Sequence, residues 1–251
     1  MSDFLISIAV WQTLLDESIE FHGHVRDNRI ECVIEAVRER GGHTVSHSDA
    51  RRALDLAAHE FEEAYLAGSP IDNKERVRIV GDALSVSLSH TEMDSLAQRL
   101  GATHQAHSLV PMPGARDALR RLAANYRVVV VSDTWLSPGQ TLRAALDYHR
   151  MSEFLEDMYF SDETGVSKTS GSAWKYVADR MNIGVSRIIH IGDLPAVDGY
   201  IAMKSHCATS IVVPHPSHPI VGSSSSMVGL QAASRLVDVP DLVAKFTGRR
   251  P

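Results

Sequence analysis

Hydrophobic positions fall into two textures along the chain. Phe4 to Val10 is a short apolar run of mostly branched and aromatic residues, which predicts a buried strand. From about residue 16 to residue 108 the apolar positions recur at helical spacing instead. Phe21, Val25, Val33, Ile34 and Val37 run up to Gly41 and Gly42, and Leu54, Ala58, Phe61 and Tyr65 lie between Ser48 and Gly68. Two further helical stretches carry Val77, Val80 and Leu84, and Met93, Leu96 and Leu100. Each is preceded by capping-box spacing, Asp72 with Glu75 and Ser89 with Glu92, in which a side-chain oxygen takes up a free amide of the first turn. No strand is predicted inside this region.

After Pro111 and Pro113 the texture changes. A helix is expected over 115–124, followed by Arg127-Val-Val-Val-Val-Ser132, a continuous β-branched run typical of a parallel strand buried on both faces. Ser137-Pro138 opens a further helix, with Pro where its missing N–H costs nothing. A short strand over 158–161, a helix over 170–181, a strand over 187–191 ending at Gly192-Asp193, a helix over 196–204 and a last clear strand over 209–213 complete the pattern. Alternation of this kind predicts an α/β fold, a doubly wound, Rossmann-like parallel sheet. The first strand is cut off from the others by the helical stretch. The expected organisation is therefore a core domain built from 1–15 and 109–251, with an all-helical domain, 16–108, inserted. The Pro/His/Ser-rich stretch from Pro214, including Ser223 to Ser226, reads as a surface loop.

Composition narrows the partners. With 44% hydrophobic and 22% charged residues over 251, the chain is too apolar to be disordered. A formal charge of −6 without a basic run argues against nucleic acid and anionic membranes. Cys32 and Cys207 are too far apart to suggest a disulfide framework or a cysteine zinc site. The N-terminal apolar run is too short for a signal peptide or a membrane span, so a cytoplasmic location is expected.

In doubly wound sheets a ligand sits beyond the carboxyl ends of the strands. Four segments fall there in chain order: I-A-V-W-Q-T-L-L (Ile8 to Leu15), Ser132 in VVVVSDTWL, Lys168 in GVSKTSG, and Gly192, Asp193 and Asp198 in HIGDLPAVD. In this order, with a helical insertion directly after the first, they resemble the haloacid dehalogenase-like (HAD) superfamily with its helical C1-type cap. The resemblance implies a hydrolase fold acting on small phosphorylated or halogenated molecules. It also exposes a departure. The family's first motif opens with an Asp that attacks a phosphoryl group or a halide-bearing carbon, and in phosphatases also ligates Mg²⁺. Ala9 stands at that position. Trp11 stands where a general-acid Asp is frequent, and Gln12 where Gly or Asp is frequent. A methyl group neither attacks nor binds metal, and removal of a covalent nucleophile lowers rates on the order of 10⁴ to 10⁶.

The resemblance thus implies a degenerate active site, a pseudoenzyme with respect to phosphatase chemistry. An anion cradle of Thr13, Ser132 and Lys168 would remain for a small phosphorylated or carboxylated ligand. Asp193 and Asp198 would form a Mg²⁺ site weakened by the missing carboxylate. Several alternatives stay open. Lys168 could instead pair with Asp193 or Asp198. Asp133 could act as a substitute carboxylate or simply cap a turn. His22 and His24 could bring acid–base chemistry to a repurposed site or sit on a helix surface. An active phosphatase or dehalogenase using another carboxylate is the competing expectation. His190 reads as a satisfied core residue, and His215 and His218 carry no metal-ligand spacing. A protein partner or a homo-oligomer is compatible with the sequence.

Overall fold

A computed structural model describes residues 3–41, 44–215 and 229–249. Every position of Leu5–Ile8 (β1) is buried. The chain then leaves the sheet through a short antiparallel ribbon, Leu15–Glu17 (β2) paired with Leu109–Pro111 (β3). Between the two ribbon strands lie four helices: α1 (Ile19–Arg40), α2 (His47–Leu66), α3 (Asn73–Ala83) and α4 (His90–Gly101). They pack on one another around Ile30, Val33, Ala53, Val77, Leu96 and Leu100. The rest of the chain alternates: α5 (Ala115–Ala123), β4 (Arg127–Ser132), α6 (Gly139–Tyr148), β5 (Asp157–Phe160), α7 (Ser161–Thr164), α8 (Ser172–Met181), β6 (Ile188–Gly192), a π-helical turn Pro195–Ile201 running into α9 (Ala202–Lys204), β7 (Thr209–Val212), β8 (Leu230–Ala232) and α10 (Val239–Phe246).

Six strands form one parallel sheet in the order β5-β4-β1-β6-β7-β8. The two-residue strand period sends alternate side chains to opposite faces. Ile6, Ile8, Val128, Val130 and Ile191 meet Leu119, Leu142 and Val243 of α5, α6 and α10 on one face. Leu5, Val129, Val131 and Ile188 meet Trp174 and Val177 of α8 on the other. Central strands buried on both faces account for the unbroken Val run of β4.

Local expectations needed correction where a signal was too short to carry. The ribbon strands reach Glu17 and Leu109, so the stretch 16–108 is not purely helical at its edge, and three-residue strands leave no periodicity to read. α2 starts one residue ahead of Ser48, with Ser46 as its N-cap accepting the Asp49 amide at 3.1 Å. Ser161 opens a helical turn instead of closing β5, Pro138 stands at the N-cap of α6, and Arg187 lies in a 3₁₀ turn. A strand and a helix follow β7, which was expected to be last. Gly42, His218 and Ser223 to Ser226 lie outside the described residues. Among the described residues, no helix is long and apolar enough to cross a membrane.

Candidate functional site

The carboxyl ends of β1, β4 and β6 converge because these strands are neighbours in the sheet. The first residue past β1 is Ala9, 2% exposed, whose amide donates to the Ile191 carbonyl at 2.9 Å. The next amide, of Val10, donates to the Ser132 hydroxyl at 3.3 Å. Gln12 takes the left-handed conformation (φ 54°), and the amides of Leu14 and Leu15 return to the Val10 carbonyl. This closed turn aims Thr13 at β6, where its hydroxyl donates to Asp193 Oδ1 at 3.2 Å.

Asp198 is the hub. Its Oδ1 accepts from Lys168 Nζ at 2.6 Å and lies 3.0 Å from His190 Nε2, and its Oδ2 accepts the amides of Asp193 and Leu194 at 3.1 and 3.0 Å. Gly192 makes room for it, since a Cβ there would fall 2.2 Å from Asp198 Cγ. Burial pushes the Asp198 carboxyl upward, but the Lys168 ammonium and the His190 bond outweigh it and hold the group below its ordinary value. Burial likewise works against charge on Lys168, and Asp198 with Asp133 reverse the shift and raise it. Burial holds His190 below its ordinary value, so the ring is neutral. Its Nε2–H then donates to Asp198, and its Nδ1 accepts the Ser7 hydroxyl at 2.8 Å. Asp193 behaves oppositely to Asp198. Burial first, and then the Asp198 charge, push its carboxyl up to about 7.

The strand ends thus join Thr13 to Asp193 and Lys168 to Asp198, and the Ser132 hydroxyl meets the Val10 amide. Asp133 stands beside them with both oxygens engaged, accepting the Lys168 amide at 3.0 and 3.1 Å and the Ser167 hydroxyl at 3.0 Å. His22 and His24 are exposed on α1, and among the described residues neither has a contact with the strand-end cluster. His22 instead pairs with Glu17, and His215 reaches Asp16 at 3.1 Å.

Sequence reasoning missed two participants. Tyr65 of α2 is buried against Val197 of the π-helical turn, and burial together with Asp133 and Asp198 raises its phenol well above the ordinary value. The helical insertion thus closes over the strand ends through an aromatic residue that a periodicity argument assigns only to a helix core. His104 is the second. Its Nε2 lies 2.7 Å from Glu17 Oε1, and its Nδ1 lies 3.1 Å from Arg29 Nη2 and close to Ser137 Oγ. Because the guanidinium only donates, Nδ1 accepts, and Nε2 carries the proton given to Glu17. No spacing rule ties residues 17, 29, 104 and 137 together in sequence.

Among the described residues, no group of three His, Cys, Asp or Glu side chains is arranged to hold a metal ion. The sequence profile of one family, haloacid dehalogenase-like hydrolase, matches residues 13–203. Among curated proteins, none matches the sequence. Solved structures share the fold over nearly the whole chain. The 2-haloacid dehalogenase of Pseudomonas syringae pv. Tomato DC3000 is 14% identical, with a TM-score of 0.65 over 97% of this chain and 99% of that one. The HAD phosphatase of Thermococcus onnurineus is 16% identical, with a TM-score of 0.60 over 99% and 100%. The HAD-hydrolase YfnB of Bacillus subtilis, solved bound to magnesium, is 15% identical, with a TM-score of 0.65 over 96% and 98%.

Proposed function

Because the chain belongs to the haloacid dehalogenase-like hydrolase family, we propose that it is a member that binds a small phosphorylated or carboxylated molecule at its strand ends and does not hydrolyse it through an aspartyl intermediate. The observation that carries this reading is Ala9, a methyl side chain just past the end of β1, whose amide donates to Ile191 of β6 and whose neighbour Val10 donates to the Ser132 hydroxyl of β4. Covalent catalysis there needs a lone pair aimed at the ligand, and Ala9 has none to offer. The Ser132 hydroxyl and the Lys168 ammonium supply donors for an anion. The four helices serve as the cap, with Tyr65 facing the cradle.

Asp133 is a poor replacement nucleophile, because the Lys168 amide and the Ser167 hydroxyl already engage both its oxygens and hold the carboxylate in place. Magnesium, which the family implies, does not suit these donors. It asks for near-octahedral oxygen ligation. Ala9 contributes no carboxylate, and both oxygens of Asp198 are already taken by Lys168, His190 and two amides. The positive charge facing a bound anion is then that of Lys168.

A second reading rests on Asp193, which stands just past the carboxyl end of β6 and accepts the Thr13 hydroxyl at 3.2 Å. A buried carboxyl held near 7 can exchange a proton at neutral pH, which suits general acid–base work on an attacking water.

The test is turnover of p-nitrophenyl phosphate and 2-chloropropionate with and without Mg²⁺. The expected outcome is no turnover by the wild-type chain and measurable turnover by Ala9→Asp. Wild-type turnover abolished by Asp193→Ala would overturn the non-hydrolytic reading in favour of the second.

A further inference from the structure

A cavity of about 280 Å³ lies in the helical insertion, between α1, α2 and α3 and the Trp135–Leu136 segment that follows β4. None of Ala9, Thr13, Ser132, Lys168, Asp193 and Asp198 lines it. Its walls are mainly apolar, with Val25, Leu54, Val80 and Trp135 among them, and it opens between exposed residues including Ala58. Into this space faces Arg76 of α3.

Arg76 is 4% exposed, and its guanidinium lies 4.2 Å from the centroid of the Phe61 ring. The Nε and Nη1 atoms are buried without a hydrogen-bond partner, and no carboxylate among the described residues pairs with the group. The carboxylates at the cavity are engaged elsewhere, Glu17 with His104 and His22, and Asp55 with Arg26. A second cation, Arg29, donates to Thr103 Oγ1 and His104 Nδ1, both at 3.1 Å. Burial first, and then Arg29, push Arg76 down to about 9, so it stays protonated at neutral pH. Stacking on Phe61 gives the cation an attractive surface but satisfies none of its N–H groups. A buried charge left without a counter-charge is unfavourable in the ligand-free protein, and an arriving anion would relieve it.

We propose that this cavity is a second ligand site, taking a small organic oxyanion whose carboxylate or phosphate head meets Arg76 and whose apolar body lies against Leu54, Val80 and Trp135. The cavity stands at the small end of ligand pockets, which run from about 300 to 1,000 Å³. A single head with a short chain or ring is what it accommodates. The site is distinct from the anion cradle, because none of Thr13, Ser132, Lys168, Asp193 and Asp198 forms its wall.

The experiment titrates hexanoate, hexyl phosphate and inorganic phosphate into the full-length chain, following tryptophan fluorescence and thermal melting. Of the three tryptophans, Trp135 alone lines the cavity, so Trp135→Phe should remove the fluorescence response and spare the shift in melting temperature. Hexanoate or hexyl phosphate should bind saturably and raise the melting temperature, and the tighter of the two identifies the head group. Arg76→Met should weaken that binding on the order of tenfold to a hundredfold, the loss of one charge-assisted hydrogen bond. It should also raise the melting temperature of the ligand-free protein, which a merely structural arginine would not do. Ala58→Trp, at the rim, fills the cavity without touching Arg76 and should abolish binding in a folded protein. Absence of binding by both six-carbon anions would overturn the proposal. So would an Arg76→Met protein that melts lower and binds as the wild type does.

Discussion

Lys168 holds its charge almost entirely out of water, and its neighbours make that tolerable. The ammonium sits on Asp198 at 2.6 Å with both side chains almost wholly buried. Removing one member of such a pair leaves the other uncompensated, a loss of about 3–5 kcal/mol. Lys168→Met should therefore cost the protein about that much stability in urea unfolding at neutral pH. A loss under about 1 kcal/mol would mean that Asp198 rests mainly on His190 and the two amides. The residue type at this position was legible in sequence as a lysine just before a helix. Which acid it meets was not, because Asp193 and Asp198 are five residues apart and only the π-helical turn decides which one turns back under the strand ends. Gly192 is part of the same decision, since any side chain there would occupy the space of the Asp198 carboxyl.

Among the elements, the ribbon strand β2 does more than its three residues suggest, because it carries Glu17 into a clasp with His104 in the connection after α4. Burial pushes the Glu17 carboxyl up, but its hydrogen bonds to His104 and then to His22 outweigh it and leave it below the ordinary value. A carboxyl lowered by folding stabilises the native state fully above its unfolded pKa, about 4.3, and progressively less as pH falls through the folded value. The stability difference between wild type and Glu17→Gln should accordingly be flat from about pH 8 to pH 5.5 and shrink below about pH 4.3. A difference that grows towards acid pH would show that the clasp does not need the carboxylate. Elements were read correctly from sequence where burial or capping imposes a pattern. The Val run of β4 is buried on both faces, and at α4 the reciprocal capping box forms as expected. The β2–β3 ribbon, β8 and the π-helical turn escaped, because a three-residue strand has no period and a π-turn differs from an α-helix only in how the carbonyls are paired.

On the scale of the molecule, the helical insertion touches the sheet layer where the strand-end cluster lies. Phe61 and Tyr65 of α2 stack on each other, pack with Val197 of the π-helical turn, and meet Trp135 after β4. Sequence placed Phe61, Tyr65 and Val197 in helices and Trp135 between a strand and a helix. It could not place the elements against one another, because that contact joins positions about 130 residues apart and no single-chain pattern encodes it. The contact has two consequences that separate cleanly. Truncating Tyr65 to Ala removes a buried aromatic side chain, a loss of about 3–5 kcal/mol if the surrounding packing does not collapse into the gap. The same change removes the ring that covers Asp133 and its neighbours, so a small anion should reach Ser132 and Lys168 with fewer obstructions. Phosphate association with Tyr65→Ala, followed by stopped-flow competition at fixed pH, should be faster than with wild type even though the protein is less stable. Equal association rates, with stability reduced as expected, would mean that α2 braces the sheet layer without controlling entry, and that the anion reaches the strand ends from another side.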